Sequence, residues 1–412
     1  MNKKIFLFSL PLLLFAISCG TASCGKIQQQ LNKHEPIVLT KTEQAIADDV
    51  GNFAFRLFKQ VAAEEEKAFF ISPFSASLAL SMTANGTAGE TAAQMKEVLG
   101  FAHFSYEDMN GYFAKLSEKL PKADKLTTFT IANSLWTRKG FPVHKEYKQL
   151  LKRWYKAQAE ELDFNSPQAV KTINNWCSYH TNGLIDKILD EVEPSMVAYL
   201  INALYFKGTW VHSFEKKNSF EGTFYPDYGP EKDVVYMQQK KGFPYVDTEW
   251  SSVASFPYGN ESFSMIVLLP KEGVSVNQVV EKQLNPDTWS SLMDKLQNHE
   301  KELNVVMPKF KSEFEKDLIP TLKALGMVLP FSEGLADFSN LSPVWGLYIE
   351  LVKQKTYIEV HEKGAEAAAV TAVGIAKTSL NPFEPVPFIM NKSFVYAIVE
   401  KSTGTLLFMG KQ

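Results

Sequence analysis

Apolar residues recur at helical spacing early in the chain and in strand-like runs later. In D-D-V-G-N-F-A-F-R-L-F-K-Q-V, the residues Val50, Phe53, Leu57 and Val61 fall on one side of a helix. A second helix is expected over S-P-F-S-A-S-L-A-L-S-M-T-A-N, with a serine cap ahead of Pro73 in the first turn, where the missing N–H of proline costs nothing. Helical patterning continues to about Leu120. The segments F-S-M-I-V-L-L-P, K-E-L-N-V-V-M-P, K-T-Y-I-E-V-H-E and F-V-Y-A-I-V-E read instead as strands, rich in Val, Ile and aromatic residues. No repeat, low-complexity linker or composition break follows residue 40. The pattern predicts an α+β fold in one domain over residues 41–412, with helices dominating early and strands late.

The first forty residues stand apart. Lys3 and Lys4 precede the apolar run I-F-L-F-S-L-P-L-L-L-F-A-I, which is too short and too proline-interrupted to span a bilayer comfortably and reads as a signal peptide over residues 1–18. Cys19 follows small residues just past that run, as in a bacterial lipobox, with Cys24 in T-A-S-C-G as the alternative lipidation site. Residues 19–40 are polar and lack a period, as suits a tether. The expectation is an exported bacterial lipoprotein, membrane-anchored at the outer surface or periplasmic face, the alternative being simple secretion.

Composition narrows the function. With 412 residues, 45% of them hydrophobic, the chain can bury a large core. A net charge of -3 and only three arginines, Arg56, Arg138 and Arg153, give no basis for a nucleic-acid partner. Cys177 is the one cysteine in the body, which excludes a disulfide framework and reads as a buried, inert thiol. Catalytic motifs are missing: there is no G-x-S-x-G, and the H-E pairs at His34, His299 and His361 lack the second histidine of a zinc helix. The scattered histidines offer no metal-ligand spacing, and His180 and His212 read as structural. The chain is not expected to be an enzyme or to carry a cofactor.

One strip resists a simple assignment. E-K-G-A-E-A-A-A-V-T-A-V-G-I-A-K-T-S runs from Glu362 to Ser379. Extended, it would place Ala365, Ala367, Ala369, Thr371, Val373 and Ile375 on one face, without a charge until Lys377. Small uncharged residues suit a strand that must slide between two others. An exposed alanine helix is the alternative, although Gly364 would cost its interior about 1 kcal/mol.

E-K-G-A-E-A-A-A-V closely resembles the hinge of inhibitory serpins. The likeness extends in family order through F-I-S-P-F-S-A-S-L-A-L-S-M-T-A-N-G-T-A-G-E-T-A-A-Q-M-K-E-V-L, I-N-N-W-C-S-Y-H-T-N-G-L-I-D-K-I-L, L-I-N-A-L-Y-F-K-G-T-W, F-S-E-G-L-A-D-F-S and F-V-Y-A-I-V-E-K-S-T-G-T-L-L-F-M-G. The resemblance implies the serpin fold, with helices packed around three β-sheets and an exposed reactive loop over about residues 362–385. It implies a hinge of Glu362, Lys363, Gly364, Ala365, Glu366, Ala367, Ala368 and Ala369. The breach would join Lys309, Trp210 and Glu362, and the shutter Ser72, Ser75, Asn202 and Gln354. Family spacing from the hinge glutamate puts the reactive bond at Thr378-Ser379, with Lys377-Thr378 as the alternative.

The implied activity is suicide inhibition of serine endopeptidases: the protease cuts the loop, and the freed strip joins the main sheet. Lys377 suits trypsin-like enzymes and Thr378 elastase-like ones, and several usable bonds would extend the range to papain-like cysteine proteases. Lys377-Thr378 is also similar to the loop of a broad-range bacterial serpin. A monomer is expected. The alternative is a non-inhibitory serpin that binds or carries a ligand, whose inward strip face should be bulky or charged. This chain departs from the family pattern at Gln354, where many animal members have histidine, at Ala365, and at Ser393, where proline is usual before Phe394; the segment from Ser379 to Asn391 is also longer.

Overall fold

The computed structural model describes residues 34–365 and 384–412. The helices in chain order are α1 (Lys41–Glu64), α2 (Pro73–Ala84), α3 (Gly89–Leu99), α4 (Tyr106–Lys119), α5 (Lys145–Tyr155), α6 (Pro167–His180), α7 (Val276–Gln283), α8 (Pro286–Asn298) and α9 (Ile319–Ala324). The strands are β1 (Phe69–Ile71), β2 (Thr127–Arg138), β3 (Gln158–Leu162), β4 (Ala198–Thr209), β5 (Phe220–Phe224), β6 (Lys232–Asp247), β7 (Ser251–Tyr258), β8 (Phe263–Pro270), β9 (Glu300–Pro308), β10 (Phe310–Asp317), β11 (Lys353–His361), β12 (Gly364–Ala365), β13 (Val386–Ile389), β14 (Val395–Glu400) and β15 (Leu406–Lys411).

A capping box starts α1: the Thr40 side chain accepts from the Glu43 N–H while the Glu43 carboxylate accepts from the Thr40 N–H. Val50, Phe53, Leu57 and Val61 are all buried along it. Ser72 caps α2, which is buried on almost every side, as a helix apolar all round must be, and packs against β4 and β15.

Six strands form one sheet in the order β10-β11-β12-β4-β2-β3. The other strands are linked as β1-β15-β14-β8-β7-β6-β9-β13, with β5 also on β6. The long strand β6 divides this array: Lys232 to Pro244 pair with β5 and β9, and Tyr245 to Asp247 with β7. Three sheet regions result, two of them sharing one strand. The main apolar core lies between the six-stranded sheet and the β7-β8-β14-β15 region. A smaller cluster, including Trp136, Ile173, Trp176 and Tyr199, seals α6 to the other face of β2 and β4.

The expectation of helices first and strands late needs one correction. The long strand β2 and most of β4 fall in the first half of the chain. Asn133 and Ser134 in β2 and Asn202 in β4 disguise them by breaking their apolar pattern. Inside the fold, the Asn133 amide donates to the Tyr155 carbonyl at 2.8 Å and the Asn202 amide donates to Asn133 Oδ1 at 2.7 Å. Cys177 is buried in α6, and burial pushes its thiol pKa up to about 12, leaving it protonated.

Candidate functional site: a seated hinge above an open slot

The two-residue strand β12 lies between β11 and β4 and is antiparallel to both. Ala365 pairs with Val360 and Gly208, and Gly364 with His361 and Thr209. Gly364 has φ +146°, and a Cβ there would run into the Gly208 carbonyl oxygen. Glycine is required at this close approach. Ala365, 2% exposed, joins the main core.

Hydrogen bonds fix the chain just before β12. The Lys363 carbonyl accepts from the Trp210 N–H at 2.9 Å, and the Glu362 carbonyl from the Phe214 N–H at 2.8 Å. The Trp210 indole N–H donates to the His361 carbonyl at 3.0 Å, while its ring stacks on Tyr258 with centroids 4.3 Å apart. Glu362 Oε1 accepts from Lys309 Nζ at 3.2 Å and from Ser219 Oγ at 3.0 Å. Burial works to raise the Glu362 pKa, but the hydrogen bonds from its own backbone, Ser219 and Lys309, with the lysine charge, outweigh it and hold the carboxyl below its ordinary value. Beside it, burial lowers the His361 pKa. His361 Nδ1 accepts from the Lys363 N–H at 3.1 Å, so the neutral ring carries its proton on Nε2, which is buried without a partner among the described residues.

Below β12 no described strand lies between β4 and β11. On the slot side of β4, only Gly208 and Thr209 pair with β12, and on that of β11 only Val360 and His361 do. Their other edges are laddered to β2 and β10. A cavity of about 360 Å³ occupies the gap, with Ser72, Ser75, Asn202, Gln354, Leu204 and Thr356 in its walls. At its floor the Ser72 N–H donates to Gln354 Oε1 at 3.1 Å, and Gln354 Nε2 donates to the Ser72 carbonyl at 2.8 Å. Ser72 Oγ donates to the Leu407 carbonyl at 2.7 Å, and Ser75 Oγ donates to Asn202 Oδ1 at 2.5 Å. Thr356 Oγ1 adds a bond to the Phe70 carbonyl. This network ties the helix beneath the slot to both of its rims.

The structure therefore brings together Lys309, Trp210 and Glu362 in one group, and Ser72, Ser75, Asn202 and Gln354 in another. Glu366, Ala367, Ala368, Ala369, Lys377, Thr378, Ser379, Cys19 and Cys24 lie outside the described residues. Sequence reasoning missed Ser219, Asn133 and Thr356. Only Asn133 gave a signal, as an amide inside an otherwise strand-like run. Among the described residues no group of His, Cys, Asp and Glu side chains is arranged to hold a metal, and no helix is long and apolar enough to cross a membrane.

The family described as Serpin (serine protease inhibitor) matches residues 48–412. An uncharacterized serpin-like protein of Thermococcus kodakarensis is 33% identical over 90% of this chain and 85% of its own length. Human Serpin B3 is 34% identical over 87% of this chain and 96% of its own. Among solved structures, the thermophilic serpin tengpin in its native state aligns with a TM-score of 0.80 at 34% identity, covering 93% of this chain and 97% of that one.

Proposed function

Since the chain belongs to the serpin family, whose members are generally protease inhibitors rather than enzymes, we propose that it is a trapping inhibitor of serine endopeptidases that works by inserting residues 366–378 into the slot between β4 and β11. One observation carries this reading: Gly364 and Ala365 already pair with both rims at the head of a slot that no other described strand enters.

The register of β12 states what insertion would do. Continued downward, it sets Ala367 against Ile358 and Phe206, Ala369 against Thr356 and Leu204, and Thr371 against Gln354 and Asn202. These odd-numbered residues follow Ala365 onto the core face, because strand neighbours at spacing two share a face. Thr371 thereby brings a hydroxyl to the polar floor of the slot. Ile375 falls opposite Ala198, the first residue of β4, so an acyl-enzyme on Thr378 would emerge just past the far end of the sheet. At roughly 3.3 Å per residue, the thirteen residues after Ala365 would place the protease about 43 Å from Ala365 along the sheet.

Burying Val373 and Ile375 contributes about 1.5–3 kcal/mol each, against about 1–2 kcal/mol per residue to order the backbone. The slot shifts this balance. A central strand gains ladder bonds on both sides at once, each about 0.5–1.5 kcal/mol, and fills the cavity between β4 and β11.

Targets follow from the bond cut: elastase-like enzymes at Thr378-Ser379, trypsin-like enzymes at Lys377-Thr378, and papain-like cysteine proteases where neighbouring bonds are used. We place the protein outside the cytoplasm of a bacterium, held at the membrane by a lipid on Cys19, or on Cys24. The test is incubation with trypsin and with elastase, followed by denaturing gels and mass spectrometry. A denaturant-stable complex containing a loop cut at Lys377 or Thr378 is expected. Clean cleavage with undiminished protease activity would overturn the proposal.

A further inference from the structure

A second pocket, of about 320 Å³, lies where the starts of β6 and β10 meet the end of β15. In its wall is Lys411, a cation only 2% exposed. The ammonium donates to the Glu65 carbonyl at 2.7 Å and lies 5.4 Å from the Phe69 ring and 5.7 Å from the Tyr228 ring. It has no ion pair among the described residues. Asp227, Glu65 and Glu66, the last also in the pocket wall, act on it only at longer range, and Asp227 Oδ2 is occupied by the Val276 N–H at 2.7 Å. A buried charge without a counter-ion is costly, so its place in a pocket wall is informative.

Ser393 supplies the second observation. It is 5% exposed, and its Oγ accepts the Asp227 N–H at 3.0 Å, which leaves its own O–H with no acceptor among the described residues. Lys67 and Lys232 stand exposed at the rim without ion pairs among the described residues, whereas Lys309 and Lys311 are paired with Glu362 and Glu313. Phe224, Tyr228 and Phe310 complete an apolar wall, and the volume suits a small organic molecule.

We propose that this pocket binds a small amphiphilic oxyanion: a phosphate, sulfate or carboxylate on an aromatic body, its charge met by Lys411 and Ser393 and its body by the aromatic wall. Calorimetric titration of the full chain with phenyl phosphate, benzoate, inorganic phosphate and benzyl alcohol tests this. Saturable one-site binding is expected for phenyl phosphate or benzoate, weaker binding for phosphate alone, and none for benzyl alcohol. Ser393→Pro should weaken binding about tenfold, the equivalent of one lost hydrogen bond, and Lys411→Met should abolish it. If Lys411→Met does not fold, Ser393→Pro and Lys232→Ser decide the matter. No saturable binding of either aromatic anion at about 5 mM, a concentration well above typical site affinities, or unchanged affinity in the folded variants, would overturn the proposal.

Discussion

Glu362 and Lys309 meet at 3.2 Å at the point where the chain turns into β12, and Ser219 closes on the same carboxylate oxygen. The pair fixes where the strip enters the sheet, because Gly364 and Ala365, one turn residue further on, already lie in the ladder. Lys309→Met should free the carboxylate and lower stability by about 0.5–1 kcal/mol, a modest figure because solvent reaches the lysine. The Glu362 pKa is depressed in the fold. Its contribution is therefore complete above the unfolded value near 4.5 and lost as pH falls through the lower folded value. Thermal melts from pH 6 to 3 should fall less steeply in the variant than in the parent.

His361 acts in a different window. Burial depresses its folded pKa below the ordinary 6.5, so the unfolded chain takes up the proton first as pH falls. Its contribution is complete above pH 6.5 and declines below, at up to about 1.4 kcal/mol per pH unit while the protonation states differ. His361→Gln should flatten the stability profile between about pH 6.5 and 5, measured by urea unfolding at several pH values.

The register of β12 separates neighbouring positions sharply. Ala367→Arg would carry a guanidinium to the core side between Phe206 and Ile358, at a cost of several kcal/mol for an unpaired buried charge. Ala368→Arg would point to the opposite face, between Tyr205 and Tyr357. The first variant should be cut by trypsin-like or elastase-like proteases without trapping them, while the second keeps most of its complex yield on denaturing gels. Equal yields from the two would refute the face assignment.

Gln354 exchanges two hydrogen bonds with the backbone of Ser72 in a buried setting. Gln354→Leu leaves the Ser72 N–H without its acceptor, while the Ser72 carbonyl keeps the Ala76 N–H at 3.1 Å, and should cost about 1–3 kcal/mol. Differential scanning calorimetry would show the lowered melting temperature. Because these bonds tie β11 to the helix under the slot, the variant should also insert its uncut loop faster on mild heating, seen as loss of inhibitory activity without cleavage.

Local pattern carried the fold unevenly. The buried stripe of α1 and the strands β8, β9, β11 and β14 were legible because their apolar spacing matches their geometry. β2 and β4 were not, since the amides that break their pattern find partners only after the chain has folded. Gly364 was visible as an obstacle to a helix, but its reason, the approach to Gly208, lies across the sheet. Lys309 and Glu362 came from family likeness alone, as no local signal joins residues 53 positions apart. The slot could not be read from any segment, because it is a space between β4 and β11, which sit far apart in the chain.

That slot has a collective consequence. Its rims recognise main chain, which is the same in every polypeptide, and its walls favour small side chains without asking which molecule they belong to. If the strip inserts as proposed, a second copy's strip would fit as well as the protein's own. Self-insertion is first order, whereas capture of a neighbour rises with concentration. Warming a dilute sample should yield inert single molecules, and warming a crowded one should yield linked chains. Anchoring at a surface would confine copies to two dimensions and move the balance toward the second fate.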